Sequence, residues 1–281
     1  MDIGIGLPAA VPGVPGPAIA EWARRAEQRG FSSLGVIDRV VYGNYEPLVA
    51  LAAAAAVTER IRLTTSILLA PLRTNHVLFA KQVASVDRLS EGRLVLGIGV
   101  GRRENDYADC SLAFRERGRE LDAVLQTASE VWRERPSEIG ARPGGPTLMF
   151  GGDSPAAYRR MARYGAGWIA GGGFGNVFRA GAAKAREAWT QGGREGAPRL
   201  VALGYFALGA GGAQAAHAYL TDYYAFTGPF AEQIAAGALT APSQISDRLA
   251  EFSDAGCDEL ILLPCTGDPD QVGLLADAVG L

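Results

Sequence analysis

Three groups of side chains have types and spacing that could do chemistry. The first is Phe150-Gly151-Gly152-Asp153-Ser154-Pro155. An apolar run ends there, two glycines turn the chain, Ser154 can cap a following helix, and Pro155 suits the first helical position, where a missing N–H is tolerated. Exposed amide donors and the positive end of that helix would face a phosphate, with the Ser154 hydroxyl as a further donor. The same six residues serve equally well as a plain turn and cap. The second group runs from Arg93 to Tyr107 and contains Gly97-x-Gly99-x-Gly101. A dinucleotide fingerprint would need glycine at position 102 and a helix opening there, whereas the sequence has Arg102 and a polar loop. What it offers instead is Arg102 and Arg103, guanidinium groups able to grip phosphate or carboxylate with two bonds at once. Arg102, nearer the strand, is the better candidate, and Arg103 is expected in solvent. The third group is Val36-Ile37-Asp38-Arg39, followed by Tyr42 and Tyr45. Asp38 could accept a proton or orient a donor; Asp38 and Arg39 could equally form a structural ion pair at a strand end.

Other chemistries find little to work with. His76 and His217 have no third ligand in register, so no metal site is expected. Cys110, Cys257 and Cys265 are odd in number and lack Cys-x-x-Cys spacing, which argues against a disulfide framework or a zinc knuckle and for a reducing compartment. No Gly-x-Ser-x-Gly elbow marks a serine hydrolase. With Lys+Arg 27 against Asp+Glu 30 and no basic cluster, the chain has no electrostatic footprint for nucleic acid. Its start, Met-Asp-Ile-Gly-Ile-Gly, lacks a signal peptide's basic and apolar regions, and the apolar stretch Leu48 to Val57 is too short to span a membrane. The expected location is cytoplasmic.

The candidate residues sit at the ends of short apolar runs, and these runs alternate with longer segments of helical spacing. The expected strands are Ile3–Leu7, Leu34–Ile37, Ile61–Leu69, Leu94–Gly99, Thr147–Phe150, Gly167–Ala170, Leu200–Leu208 and Glu259–Leu263. The expected helices are Ala18–Gln28, Pro47–Val57, Val77–Leu89, Arg115–Arg133, Pro155–Arg163, Asn176–Gln191, a two-part segment from Ala213 to Gly256, and Pro269–Val279. Eight such pairs predict an α/β fold, a (β/α)8 TIM barrel, as one domain over residues 1–281; alternation alone does not show closure, and the rival is a doubly wound open sheet. In a barrel the loops after the strands form the C-terminal face, where active sites are built. Glycine, 37 of 281 residues, clusters in those loops, where lack of a Cβ lets backbone approach a ligand.

Read together, these segments resemble the bacterial luciferase-like superfamily of flavin- and deazaflavin-dependent barrel enzymes. The resemblance is carried by Thr65-Ser66-Ile67-Leu68-Leu69-Ala70-Pro71-Leu72-Arg73, by the run from Ala80 to Arg93, by Gly97-Ile98-Gly99-Val100-Gly101, by Gly151-Gly152-x-Ser154 and by Tyr164-Gly165-Ala166-Gly167-Trp168, five markers in the family's order. It implies a flavin-type cofactor at the strand C-termini, with a non-prolyl cis peptide at Ser66–Ile67 backing its ring. It further implies a phosphate held by Gly151, Gly152 and Ser154, with Gly99 and Gly101 alongside and Arg102 in the place of an arginine near the flavin phosphate.

The departures shape the expected activity. Arg39 stands where luciferases carry a catalytic histidine, which argues against light emission. Ala166 replaces the usual acidic residue before Gly-Trp. Gly-Val-Gly-Arg replaces the Gly-Thr-Gly-Glu-like run of many deazaflavin enzymes and tilts the cofactor toward FMN. The leading expectation is a monooxygenase-type oxidoreductase that uses reduced FMN, supplied by a separate flavin reductase, and oxygen to oxidise a small organic substrate; Asp38, Arg39 and His76 are candidates to orient the reactants. The alternatives are hydride transfer with coenzyme F420 on the same scaffold, or a non-catalytic flavin-binding protein. The five alanines Ala52 to Ala56 permit close helix approach, and relatives pair through this region, so a homodimer is expected. The segment Ala213 to Ser243, with Tyr219, Tyr223, Tyr224, Phe226 and Phe230, forms either an aromatic wall over the cofactor or ordinary packing.

Overall fold

A strand buried on both faces needs partners on both edges, and in the computed structural model, which describes residues 1–281, every strand has them. Eight parallel strands pair in chain order, and the first closes on the last through Ile3↔Leu260 and Ile5↔Leu262. Closure removes the open-sheet rival. The chain runs β1 (Asp2–Gly6), α1 (Gly16–Gln28), β2 (Ser33–Val36), α2 (Pro47–Ala55), β3 (Arg62–Leu69), α3 (His76–Leu89), β4 (Leu94–Gly99), α4 (Glu104–Asp109), α5 (Arg117–Glu134), α6 (Pro136–Ile139), β5 (Thr147–Gly151), α7 (Pro155–Tyr164), β6 (Gly167–Ile169), α8 (Gly175–Gln191), β7 (Arg199–Phe206), α9 (Gly212–Tyr223), α10 (Phe230–Ala236), α11 (Pro242–Asp254), β8 (Glu259–Pro264) and α12 (Asp270–Val279). No helix is long and apolar enough to cross a membrane.

Alternation along the strands sorts their side chains into two cores. Leu200, Ala202, Leu260 and Leu262 join Trp22, Leu51, Phe79 and Leu125 between strands and helices. Their neighbours Val201, Leu203, Tyr205, Ile261 and Leu263 face the barrel interior with Met149 and Ile169. Tyr219, Leu220 and Tyr223 of α9 and Ala235 of α10 belong to this second cluster, so the segment between β7 and β8 covers one end of the barrel.

The N-terminal end is tied by charge. Glu259, buried at the start of β8, accepts from the hydroxyls of Ser32 and Ser33 (both 2.6 Å) and from Arg62 (3.2 Å) and Arg199 (3.0 Å). The same two arginines donate to Asp2 at 2.8 and 2.9 Å, linking five strands at their origins.

Two expectations change. The segment Ala213 to Gly256 holds three helices, because Gly228 at φ 59° with Pro229, and later Pro242, each restart the chain. Two short helices, α4 and α6, occupy stretches that lack a helical apolar stripe; Glu104 and Asp106 suit the positive first turn of α4.

Candidate functional site

Around the open rim, Ile67 is the meeting point. The peptide bond before it is cis, as the sequence markers imply, and the β3–β4 register shifts between Thr65 and Leu68. The partly exposed Ile67 side chain lies against Gly99 and Gly151: a Cβ on Gly99 would fall 2.1 Å from Ile67 Cδ1, and one on Gly151 would fall 2.7 Å from the same atom. Only glycine on the two following strands leaves room for it. Ser66 is buried and its hydroxyl has no partner within the protein.

The loops leaving those two strands carry the anion-binding candidates. Gly152 takes φ 107°, a conformation that favours glycine, and its carbonyl accepts from the Trp168 indole at 2.8 Å. Ser154 caps α7, its hydroxyl accepting from the Ala157 N–H at 3.2 Å. Arg102 reaches across from the β4 loop to Asp153 at 3.0 Å, both side chains about three-quarters exposed. Gly101, with φ 70°, shapes the turn that brings Arg102 there. Ser66, Ile67, Gly99, Gly101, Arg102, Gly151, Gly152 and Ser154 thus occupy one continuous stretch of rim.

The β2 end is arranged differently from expectation. Asp38, 5% exposed, pairs with Arg73 and not with Arg39. Its Oδ2 accepts from Arg73 Nη1 at 2.5 Å and from the Leu69 N–H at 2.7 Å, because the helical turn Ala70–Leu72 folds Arg73 back over the end of β3. Burial raises the Asp38 carboxyl above the usual carboxylate range, and the Arg73 charge opposes this without overcoming it. Arg39 turns instead toward Asp106 of α4, Nε to Oδ2 at 3.8 Å. Asp106, fully buried, accepts from the Val40 and Val41 N–H groups at 3.3 and 2.9 Å.

Arg103 is not solvated. It is half-buried, its guanidinium 4.5 Å from the Tyr223 ring centre and 4.3 Å from that of Phe226. His76 opens α3, partly exposed, with no hydrogen bond or ion pair to Asp38 or Arg39, so the structure does not join it to them. The aromatic segment divides: Tyr219, Tyr223 and Tyr224 pack with Tyr205, whose hydroxyl bonds that of Tyr224 at 2.7 Å, while Phe226 and Phe230 are 46% and 55% exposed.

Sequence reasoning missed Arg73, Asp106 and Tyr205. Arg73 had a signal, a lone cation just past a rim strand; Asp106 lay in a segment read as loop.

Of nine buried side-chain polar atoms without a hydrogen-bond partner, six lie on this rim: Arg39 Nε and Asp106 Oδ2 face each other at 3.8 Å, and Asp38, Asn44, Ser66 and Arg103 leave one each. Buried polar atoms are ordinarily satisfied, so their concentration at one end suits a polar ligand. The mixture of an apolar shelf at Ile67, orphan polar atoms and a glycine-rich helix start fits a phosphorylated ring system.

Comparison with known proteins bears on that fit. The profile of the luciferase-like monooxygenase family matches residues 1–278. An uncharacterised protein of Mycobacterium tuberculosis is 28% identical over 173 residues, an alignment covering 56% of this chain and 61% of that protein. The chain therefore spans about three-fifths of that relative's length. Among solved structures, the monooxygenase RslO1 from Streptomyces bottropensis superposes with a TM-score of 0.80 at 21% identity, over 99% of this chain and 98% of the other. An F420-dependent secondary alcohol dehydrogenase superposes with a TM-score of 0.81 at 16% identity, over the same shares. At these identities the structural likeness is one of fold.

Proposed function

The chain belongs to the luciferase-like monooxygenase family, and from that premise we propose that it is an oxidoreductase holding a flavin-type cofactor on the rim around Ile67. The observation that carries the reading is that Ile67 packs on Gly99 and Gly151, whose loops deliver Arg102 and Ser154. Ile67 would back the ring, and the amides of Gly152 to Ser154, the Ser154 hydroxyl and Arg102 would hold the phosphate. Asp38 fixes the ends of β2 and β3 relative to each other through Arg73 and Leu69. Tyr205, Tyr219 and Tyr223 would wall the mouth and exclude water from the reacting ring face.

The first reading is FMN with oxygen, acting on a small organic substrate, with a separate reductase supplying reduced FMN; the bound flavin supplies the redox chemistry. Gly-Val-Gly-Arg after β4 supports it. The second is hydride transfer with coenzyme F420, supported by the fold shared with the F420-dependent secondary alcohol dehydrogenase. The active unit is proposed to be a homodimer. Titrating the purified chain with FMN and with F420, followed by absorbance, tests both readings. FMN binding with substrate-dependent oxygen uptake is expected. Binding of F420 alone replaces the first reading with the second, and binding of neither removes both.

A further inference from the structure

Arg39 and Arg103 come from different loops, after β2 and after β4, yet both lie over the ring of Tyr223, with guanidinium carbons 5.6 and 4.5 Å from its centre. Arg39 is also 4.9 Å from the centre of Tyr42. Arg39 has 9% of its side chain exposed, and both arginines carry a buried Nε with no hydrogen-bond partner. Each guanidinium has five N–H donors and no acceptor. Within the protein the pair uses few of them: Arg39 donates to the Val41 carbonyl at 3.1 Å and Arg103 to the Tyr223 carbonyl at 3.2 Å.

Their charge is similarly underused. The one carboxylate near Arg39 is Asp106, whose Oδ1 accepts the Val40 and Val41 N–H groups and whose Oδ2 faces Arg39 Nε at 3.8 Å, beyond hydrogen-bond distance, and Arg103 has no ion pair. Asp222, at the end of α9, accepts from the Tyr42 hydroxyl at 2.6 Å and pairs with neither arginine. Burial and then the like charge of Arg103 lower the Arg39 guanidinium below its ordinary value, so the two cations disfavour each other. An arrangement that holds two cations against one aromatic ring and leaves most of their donors free is stabilised by an anion within reach of both. The fork geometry of guanidinium suits the paired oxygens of a carboxylate or phosphate.

We infer that Arg39 and Arg103 form a subsite for an oxoanion, a carboxylate or phosphate, carried by the substrate. Assigning the anion to the substrate rests on the proposed oxidoreductase, in which the cofactor phosphate occupies the separate corner at Arg102 and Ser154.

The test titrates the purified full-length chain calorimetrically with inorganic phosphate, benzoate and hexanoate, and with neutral benzamide and hexanamide. The parent and the R39Q/R103Q variant are compared, and each is also titrated with FMN and riboflavin. The parent is expected to bind the anions about tenfold more tightly than the amides, the worth of one charge-assisted hydrogen bond, and R39Q/R103Q to lose that preference. The preference for FMN over riboflavin is expected to persist in the variant. Equal binding of anions and amides by the parent, or an anion preference that survives in R39Q/R103Q, overturns the subsite. Loss of the FMN preference in R39Q/R103Q assigns the anion to the cofactor and overturns the substrate assignment. Failure of the parent to bind FMN or F420 removes the proposed function while the anion preference is read independently. If circular dichroism shows the double variant unfolded, R103Q alone, at a half-buried side chain without an ion pair, carries the same comparison.

Discussion

Ile67 Cδ1 occupies the space that a Cβ at Gly99 would need, 2.1 Å away. The collision is with the end of one side chain and not with backbone, so it predicts a particular pattern of rescue. Gly99→Ala forces Ile67 out of place and costs about 1–3 kcal/mol in urea unfolding. Ile67→Val, which lacks that terminal methyl, costs about 1 kcal/mol alone. In the double variant the two costs fall well short of their sum, because the colliding atom is gone. Strict additivity in this cycle would show that Ile67 and Gly99 are not coupled.

The corner at α7 makes opposite predictions for two neighbours. Ser154→Ala removes the cap on α7, costing about 1 kcal/mol of stability, and, on the proposed function, removes a hydroxyl that would donate to the cofactor phosphate. Fluorescence titration should show its affinity for FMN falling more than that for riboflavin. Asp153→Asn removes the carboxylate that now neutralises Arg102 and frees that guanidinium. FMN should bind it about two- to fivefold more tightly, the worth of an exposed ion pair. A weakened FMN complex in Asp153→Asn would show that Asp153 supports the site and does not compete for Arg102.

The barrel was legible because its signal is repeated and local: β4 falls at Leu94–Gly99 as its apolar run indicates, and the other strand boundaries move by at most two residues. The rim glycines were legible for a similar reason, since turn chemistry is written in adjacent residues. Long-range polar pairing was not. Asp38 has an arginine beside it in sequence, yet it pairs with one 35 positions away, since a strand end sends consecutive side chains to different sides. Arg103 reads as solvated in the sequence because nothing local shows that Tyr223 and Phe226, over a hundred residues later, supply a surface for it.

At the opposite end of the barrel, Glu259 predicts acid sensitivity. Burial alone would raise its pKa, but hydrogen bonds from Ser32 and Ser33 and the charges of Arg62 and Arg199 outweigh burial and hold it below the ordinary 4.5. A carboxyl lowered on folding contributes stability that is fully present above its unfolded pKa and is lost as pH falls through the folded one. Stability should therefore be flat with respect to this group above pH about 5 and decline below about 4.5. Glu259→Gln should lower stability at neutral pH by about 1–2 kcal/mol, since it removes the charge that accepts from Ser32 and Ser33 while Arg62 and Arg199, partly exposed, keep Asp2, and should flatten the acid limb. Urea unfolding across pH checks both, and an unchanged acid limb in the variant would assign that limb to other carboxylates.

The pairing of α2 with α3 leads to a prediction about assembly. The two helices are neighbours and expose Val49 on one, and Val77 and Leu78 on the other, at 64%, 45% and 52%. The inner alanines Ala54 and Ala55 are buried against the barrel, while Ala53 and Ala56 leave the outer face low enough for another helix to approach closely. In a twofold dimer each residue of this face counts twice, so two substitutions alter four positions. Burying a valine or leucine contributes about 1.5–3 kcal/mol, and placing lysines there replaces that gain with like-charge repulsion across the axis. Light scattering of the parent at micromolar concentration should give the mass of two chains, and Val49→Lys with Leu78→Lys should give one, with an unchanged far-ultraviolet spectrum. A single-chain mass for the parent would leave this face without the proposed occupant.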